Sequence, residues 1–222
     1  MTSATEKFSN SYLSTATFVN RAYATVEQLS TNQILRRNGK GVKKLVEEII
    51  PIAAFLKHFE IPGRRVRCKY FSGNQNYDAK IHVQGEDVRL GFIEKEYFLE
   101  VTSAVSSYDF LEREALSDNG SVFGGGKIRR EKGSRRIISD AVAEDYDAPM
   151  IKASEWVVAC LIEKAKKIYP QPCILLVQVE PERPLNTREW LTLMENIQSS
   201  VNRQAFKGTY LVNAWRNVVL QI

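Results

Sequence analysis

This sequence has little histidine or cysteine: His58 and His82 are its only histidines, and Cys68, Cys160 and Cys173 its only cysteines. The cysteines are odd in number and widely spaced, and each sits in a segment that reads as strand or helix. A disulfide scaffold does not follow from that pattern. Nor does any Cys and His spacing fit a zinc site. Apolar runs of about 18 residues, the length of a membrane span, are missing too, and Glu6, Lys7 and Arg21 interrupt any apolar signal core at the N-terminus. The expectation is a soluble intracellular protein, cytoplasmic, with no membrane partner. The chain also lacks a repeat, a low-complexity tract or a clear linker, so one domain is expected.

A phosphate-binding loop is excluded by the same kind of reading. Gly126-Lys127 would need glycine at 121 and Ser or Thr at 128, where the chain has Ser121 and Ile128. The glycines around it, Gly120, Gly124, Gly125 and Gly126, form no dinucleotide-binding pattern either.

What is present suffices for a core. With 222 residues, 44% of them apolar, the chain can bury a full interior, since chains of this size bury about 70% of their unfolded surface. Lys plus Arg number 31 against 26 Asp plus Glu, a net charge of +5 that permits nucleic acid without demanding it. The distribution says more than the sum. Arg36, Arg37, Lys40, Lys43 and Lys44 fall in one run, and Lys127, Arg129, Arg130, Lys132, Arg135 and Arg136 in another. Both runs could meet phosphates.

In chain order, residues 1 to 13 read as irregular, and Phe18, Ala22, Val26 and Leu29 mark an amphipathic helix from Ser14. A second helix carries Val42, Leu45, Ile49, Ile52 and Leu56 on one face, and Pro51 should make it kink or restart. A strand, Arg64 to Ser72, follows. After two further strands comes a short helix, Tyr108 to Leu116. The segment from Ser117 to Asp147 shows no clear periodicity and reads as a mobile, phosphate-seeking flap. Met150, Ala153, Val157, Leu161, Ala165 and Ile168 then make a helical stripe, and Cys173 to Val179 a strand buried on both faces. Asn186 and Glu189 cap a last helix through Leu191, Met194, Ile197 and Val201, and apolar strand sequence ends the chain. The fold class is α/β, a mixed central sheet flanked by helices.

The two middle strands carry the chemistry. In Tyr77–Val83 the positions Asp78, Lys80 and His82 are polar while Ala79, Ile81 and Val83 are apolar. In Glu94–Thr102 one face holds Glu96, Phe98, Glu100 and Thr102, the other Tyr97, Leu99 and Val101. Each strand can lay its apolar face on a core and offer Asp78 and Glu100 on the other. In antiparallel neighbours, opposed or diagonal β-carbons lie roughly 4.5–8 Å apart, close enough for two carboxylates to share one hard cation.

These residues resemble the PD-(D/E)XK nuclease superfamily, in which an Asp opens one strand and Glu-X-Lys lies in the next. Asp78 matches the first element and Glu100-Val101-Thr102 the second, with Thr102 where the family has lysine. The order helix, three strands, helix, strand over residues 42–180 matches the family's core, with residues 1–36 as an N-terminal helical extension and 186–222 as a C-terminal helix and strands. The resemblance implies a metal-dependent phosphodiesterase acting on nucleic acid, DNA ahead of RNA. It implies Mg²⁺ or Mn²⁺ held by Asp78, Glu100 and the Val101 carbonyl, with Glu48 from the preceding helix as a third carboxylate; the plain alternative for Glu48 is a solvated helix-face side chain. It also implies a possible homodimer.

A bound Mg²⁺ would activate water and neutralise phosphoryl charge. Thr102 can donate a hydrogen bond but brings no charge, so a substitute lysine is sought. Lys80 shares Asp78's face; Lys152 lies near the start of the following helix, to which the lysine migrates in some members of the superfamily. Lys80 could equally be a solvated charge, and His82 is either an extra base or an ordinary strand residue. The basic run from Lys127 to Arg136 is the expected nucleic-acid contact. Two other functions fit the same residues: a binding module without catalysis, and a structural or interaction subunit whose basic loop meets an acidic partner.

Overall fold

The computed structural model describes residues 4–122, 125–134, 136–181, 183–198 and 205–222, and within the N-terminal segment read as irregular it shows a short turn and a strand. A 3-10 turn at Glu6–Phe8 buries Phe8 completely, its ring centroid 5.0 Å from that of Phe18. Strand β1 (Leu13–Ser14) leads into helix α1 (Thr15–Glu27), where the Ser14 hydroxyl accepts from the Thr17 amide. Helix α2 (Thr31–Arg36) opens with a capping box between Ser30 and Gln33.

The helix expected from Val42 is continuous but changes pitch. It runs as α3 (Val42–Lys44), a π-helical turn (Leu45–Ile49) and α4 (Ile50–Phe59). Pro51 accounts for the break: it has no amide to donate and its ring crowds the preceding turn. The Ile50 amide accordingly reaches back to the Leu45 carbonyl, and a regular ladder restarts after it.

Strands β2 (Arg64–Tyr70), β3 (Ala79–Gly85) and β4 (Glu96–Ala104) follow, with the short helix α5 (Glu86–Arg89) between the last two. Next are helix α6 (Asp109–Asn119), strands β5 (Gly125–Arg130) and β6 (Ile137–Ala141), and helix α7 (Ala148–Ala165). Strand β7 (Cys173–Val179), helix α8 (Thr187–Gln198), strand β8 (Gly208–Asn213) and strand β9 (Val218–Gln221) complete the chain. The region read as an unstructured flap is therefore corrected: α6 runs on to Asn119 and β5 and β6 pair as an antiparallel hairpin. A second correction concerns Ile168, which lies beyond the end of α7 and is 87% exposed.

The main sheet has seven strands in the order β1-β2-β3-β4-β7-β8-β9. Its β4, β7 and β8 are parallel neighbours and the other pairs antiparallel. Each parallel pair needs a crossover, supplied by α7 between β4 and β7 and by α8 between β7 and β8. One sheet face carries Ile81, Leu99 and Leu176 against α1 and α4; the other carries Leu175 and Val177 against α7 and α8. Strand β7 lies between both helix layers, which explains its unbroken apolar run. No described helix is long and apolar enough to cross a membrane.

Leu176 is fully buried in this central strand. Leu176→Ala should cost about 2–5 kcal/mol of unfolding free energy in urea titrations with an unchanged slope; a loss below about 1 kcal/mol would contradict the assigned central position.

Candidate active site

Register decides which side chains meet. Strand β3 pairs with β4 so that Ala79 faces Leu99 and Lys80 faces Phe98. Carried one residue back, the same register sets Asp78 opposite Glu100. The Asp78 amide donates to the Leu99 carbonyl at 2.8 Å, and the Val101 amide donates to Asp78 Oδ2 at 2.8 Å. Glu100 is only 7% exposed. From α7, Lys164 Nζ reaches Glu100 Oε1 at 2.5 Å.

Burial sets the electrostatics. It is the largest cause pushing the Asp78 carboxyl up to about 7, and the negative charges of Glu100 and Glu48 push the same way. The Val101 amide and the Lys164 ammonium only partly oppose them. Glu48 lies in the π-helical turn and accepts a hydrogen bond from the buried Tyr70 hydroxyl. Burial raises its pKa despite that bond, and Glu100 adds to the rise. Tyr169 closes the same end of the sheet: Ile168, the residue before it, has its carbonyl held by Asn76 at 3.0 Å, in the loop leading to Asp78. Tyr169 is 7% exposed, and its hydroxyl has no hydrogen-bond partner among the described residues.

No family model, curated protein or solved structure matches this chain. The site must therefore be judged on its own donors. Among the described residues no group of three or more His, Cys, Asp or Glu side chains is arranged to hold a metal ion. Mg²⁺ commonly takes one or two carboxylates and completes its shell with water and substrate oxygens. Asp78, part-buried beside like charge, and the buried Glu100, paired with Lys164, fit that smaller demand. Val101 enters the site through its amide.

The two lysines picked from the sequence are engaged elsewhere. Lys80 does share Asp78's face, but its ammonium pairs with Glu96 at 2.7 Å and lies 5.3 Å from the centre of the Phe98 ring. His82 sits 3.1 Å from the same Glu96, edge-on to Tyr12. Lys152 pairs with Glu144 at 2.6 Å at the opposite end of α7. Thr102 faces α7 beside Cys160, whose thiol donates to the Ser103 carbonyl at 3.4 Å.

Lys164 is the lysine the sequence reading missed, and topology explains why. Because α7 connects two parallel strands, it runs back along β4, and its last turn overlies the half that contains Glu100. Twelve residues of helix separate Lys152 from Lys164, about 18 Å along the axis. Knowing that β4 and β7 pair in parallel would have pointed to the end of the helix in place of its start.

In the basic run, Arg129 pairs with Asp140 at 2.9 Å and Arg130 with Glu114 at 2.7 Å. Lys127, Lys132 and Arg136 are exposed on the hairpin, and Arg135 lies outside the described residues.

The Asp78 shift has a consequence for stability. Its ordinary value is 3.8 and its folded value about 7, so on raising pH the unfolded chain loses this proton first. The folded state should lose stability between about pH 4 and 7, by up to about 4 kcal/mol, and regain it on acidification. Urea unfolding in EDTA tests this: Asp78→Asn should flatten that slope and be more stable than wild type at pH 8. A variant with the wild-type pH profile would refute the assigned burial and repulsion.

Proposed function

We propose that the chain is a metal-dependent phosphodiesterase acting on nucleic acid, DNA in preference, and a divergent member of the PD-(D/E)XK superfamily. The observation that carries this reading is the opposition of Asp78 and Glu100 across β3 and β4, with Lys164 held on Glu100. The order α4, β2, β3, β4, α7 and β7, interrupted by α5 before β4 and by α6 and the β5–β6 hairpin after it, supports the reading.

Mg²⁺ or Mn²⁺, when bound, would supply charge neutralisation at the phosphoryl oxygens and a more acidic water. Asp78 and Glu100 would hold it. The Val101 amide fixes Asp78 by one oxygen, so the carboxylate is oriented before any ligand arrives. Lys164 supplies the positive charge that Thr102 lacks and stands where it can orient the attacking water and steady developing negative charge. Glu48, gripped by Tyr70, is a further carboxylate within electrostatic reach of both ligands. Tyr169 offers a buried hydroxyl at the same end. Lys127, Lys132 and Arg136 on the hairpin suit phosphate contact, which makes affinity fall with salt.

One observation favours a second reading, a nucleic-acid-binding protein without catalysis: an uncharged Thr102 stands where the motif has lysine.

Cleavage of labelled DNA and RNA by the purified chain with Mg²⁺, Mn²⁺ or EDTA separates the two. Metal-dependent cleavage is expected, abolished by Asp78→Ala and by Glu100→Ala and lowered about 100-fold or more by Lys164→Met. Lys80→Ala should stay within a few-fold of wild type. Cleavage that survives both carboxylate substitutions would exclude this site, and salt-sensitive binding without cleavage would favour the second reading.

A further inference from the structure

On α7, Lys152, Trp156, Cys160 and Lys164 recur every four residues and so form one ridge along the helix. Its contacts run in order along β4. Lys164 meets Glu100, and the Cys160 thiol donates to the Ser103 carbonyl at 3.4 Å. Just after β4, Trp156 and Lys152 line a cavity of about 270 Å³ that opens between the start of α6, the hairpin and the start of α7. Ser106, Ser107, Tyr108, Lys127, Lys152 and Trp156 line it. Crevices beyond the carboxyl ends of parallel strands are the usual ligand position in open α/β sheets.

The lining has three chemistries in one small space. Tyr108, 44% exposed, and Trp156 offer aromatic faces; Ser106 and Ser107 offer hydroxyls; Lys127 brings positive charge, while the Lys152 ammonium is paired with Glu144. Glu112 shares the wall and supplies an acceptor. An aromatic face, hydroxyls and a cation together match a base, a sugar and a phosphate. The volume sits near the lower end of small-ligand pockets, about 300 Å³, which suits one nucleotide and not a helix. A duplex keeps its base faces stacked on one another, so only an unpaired strand can present one to Tyr108 or Trp156.

We propose that this crevice seats an unpaired nucleotide, and that the strand held there runs along the α7 ridge to the Asp78 and Glu100 pair. The proposal rests on the reading of the chain as a nucleic-acid enzyme and adds the form of its substrate: single-stranded where it crosses β4. From Glu100 along β4 to Ser106, two residues past its end, is about 20 Å of extended chain, so the seated nucleotide lies a few nucleotides from the one cleaved.

Fluorescence anisotropy in EDTA, where no metal-dependent cleavage intervenes, tests it on the full chain. The probes are labelled single-stranded DNA and RNA of about 15 nucleotides, a duplex of the same length, and a 5′-mononucleotide as competitor. At least one single strand should bind about tenfold or more tightly than duplex, and Tyr108→Ala should weaken that binding by about tenfold while Tyr108→Phe retains it. Lys127→Ala should weaken it and lower its salt dependence. Equal affinity for duplex and single strands, unchanged binding by Tyr108→Ala, a mononucleotide that binds as tightly as the strand, or no binding at low salt would each overturn the proposal. Metal-dependent cleavage lost in Asp78→Ala but untouched in Tyr108→Ala would leave the enzymatic reading standing and remove this one. Single-strand binding through Tyr108 without any cleavage would do the reverse.

Discussion

Two carboxylates held opposite each other on adjacent strands repel, and only the pairing of β3 with β4 keeps Asp78 and Glu100 in that position. The surroundings make the repulsion worse before they ease it. Burial and Glu48 add to the cost of ionising Asp78, while the Val101 amide and Lys164 recover part of it. A fold selected for stability alone would fill these positions with apolar residues, as it does at the neighbouring Ala79 and Leu99. The polar cluster therefore marks where the sheet gives up stability to hold charge, the usual sign of a functional site.

Helix α7 serves both layers of this arrangement. Its apolar stripe, Met150, Ala153, Val157 and Leu161, covers the sheet beside α8. Its polar ridge delivers Lys164 to Glu100 and Trp156 to the cavity beyond β4. The π-helical turn before α4 acts similarly on the opposite side, where Glu48 reaches the buried Tyr70 hydroxyl from a helix that otherwise packs apolar residues.

Most of the strands were legible because period-two alternation is a local signal: Asp78 and Glu100 each fall on the polar face of their own strand from sequence alone, and the pairing of β3 with β4 brings the two together. Pro51 likewise announced the break that the π-helical turn accommodates. Three features were not legible. Lys164 depends on which end of a crossover helix overlies Glu100, a property of strand direction that no spacing encodes. Lys80 was drawn to Glu96, one strand away, because its neighbour across the sheet is Phe98 and its nearest carboxylate lies diagonally. The β5–β6 hairpin hid behind glycines that suggested a flexible loop. Gly126 is small for another reason: a β-carbon there would sit 1.9 Å from the Asp140 carbonyl oxygen on the opposite strand.

The central claim is that Asp78 and Glu100 together form a site for one hard divalent cation, and calorimetric titration of the metal-free protein with Mn²⁺ tests it most directly. One equivalent per chain should bind wild type, and the heat should vanish in Asp78→Asn and in Glu100→Gln while both variants keep the wild-type circular dichroism. Absence of binding to wild type, or undiminished binding to both variants, would contradict the account.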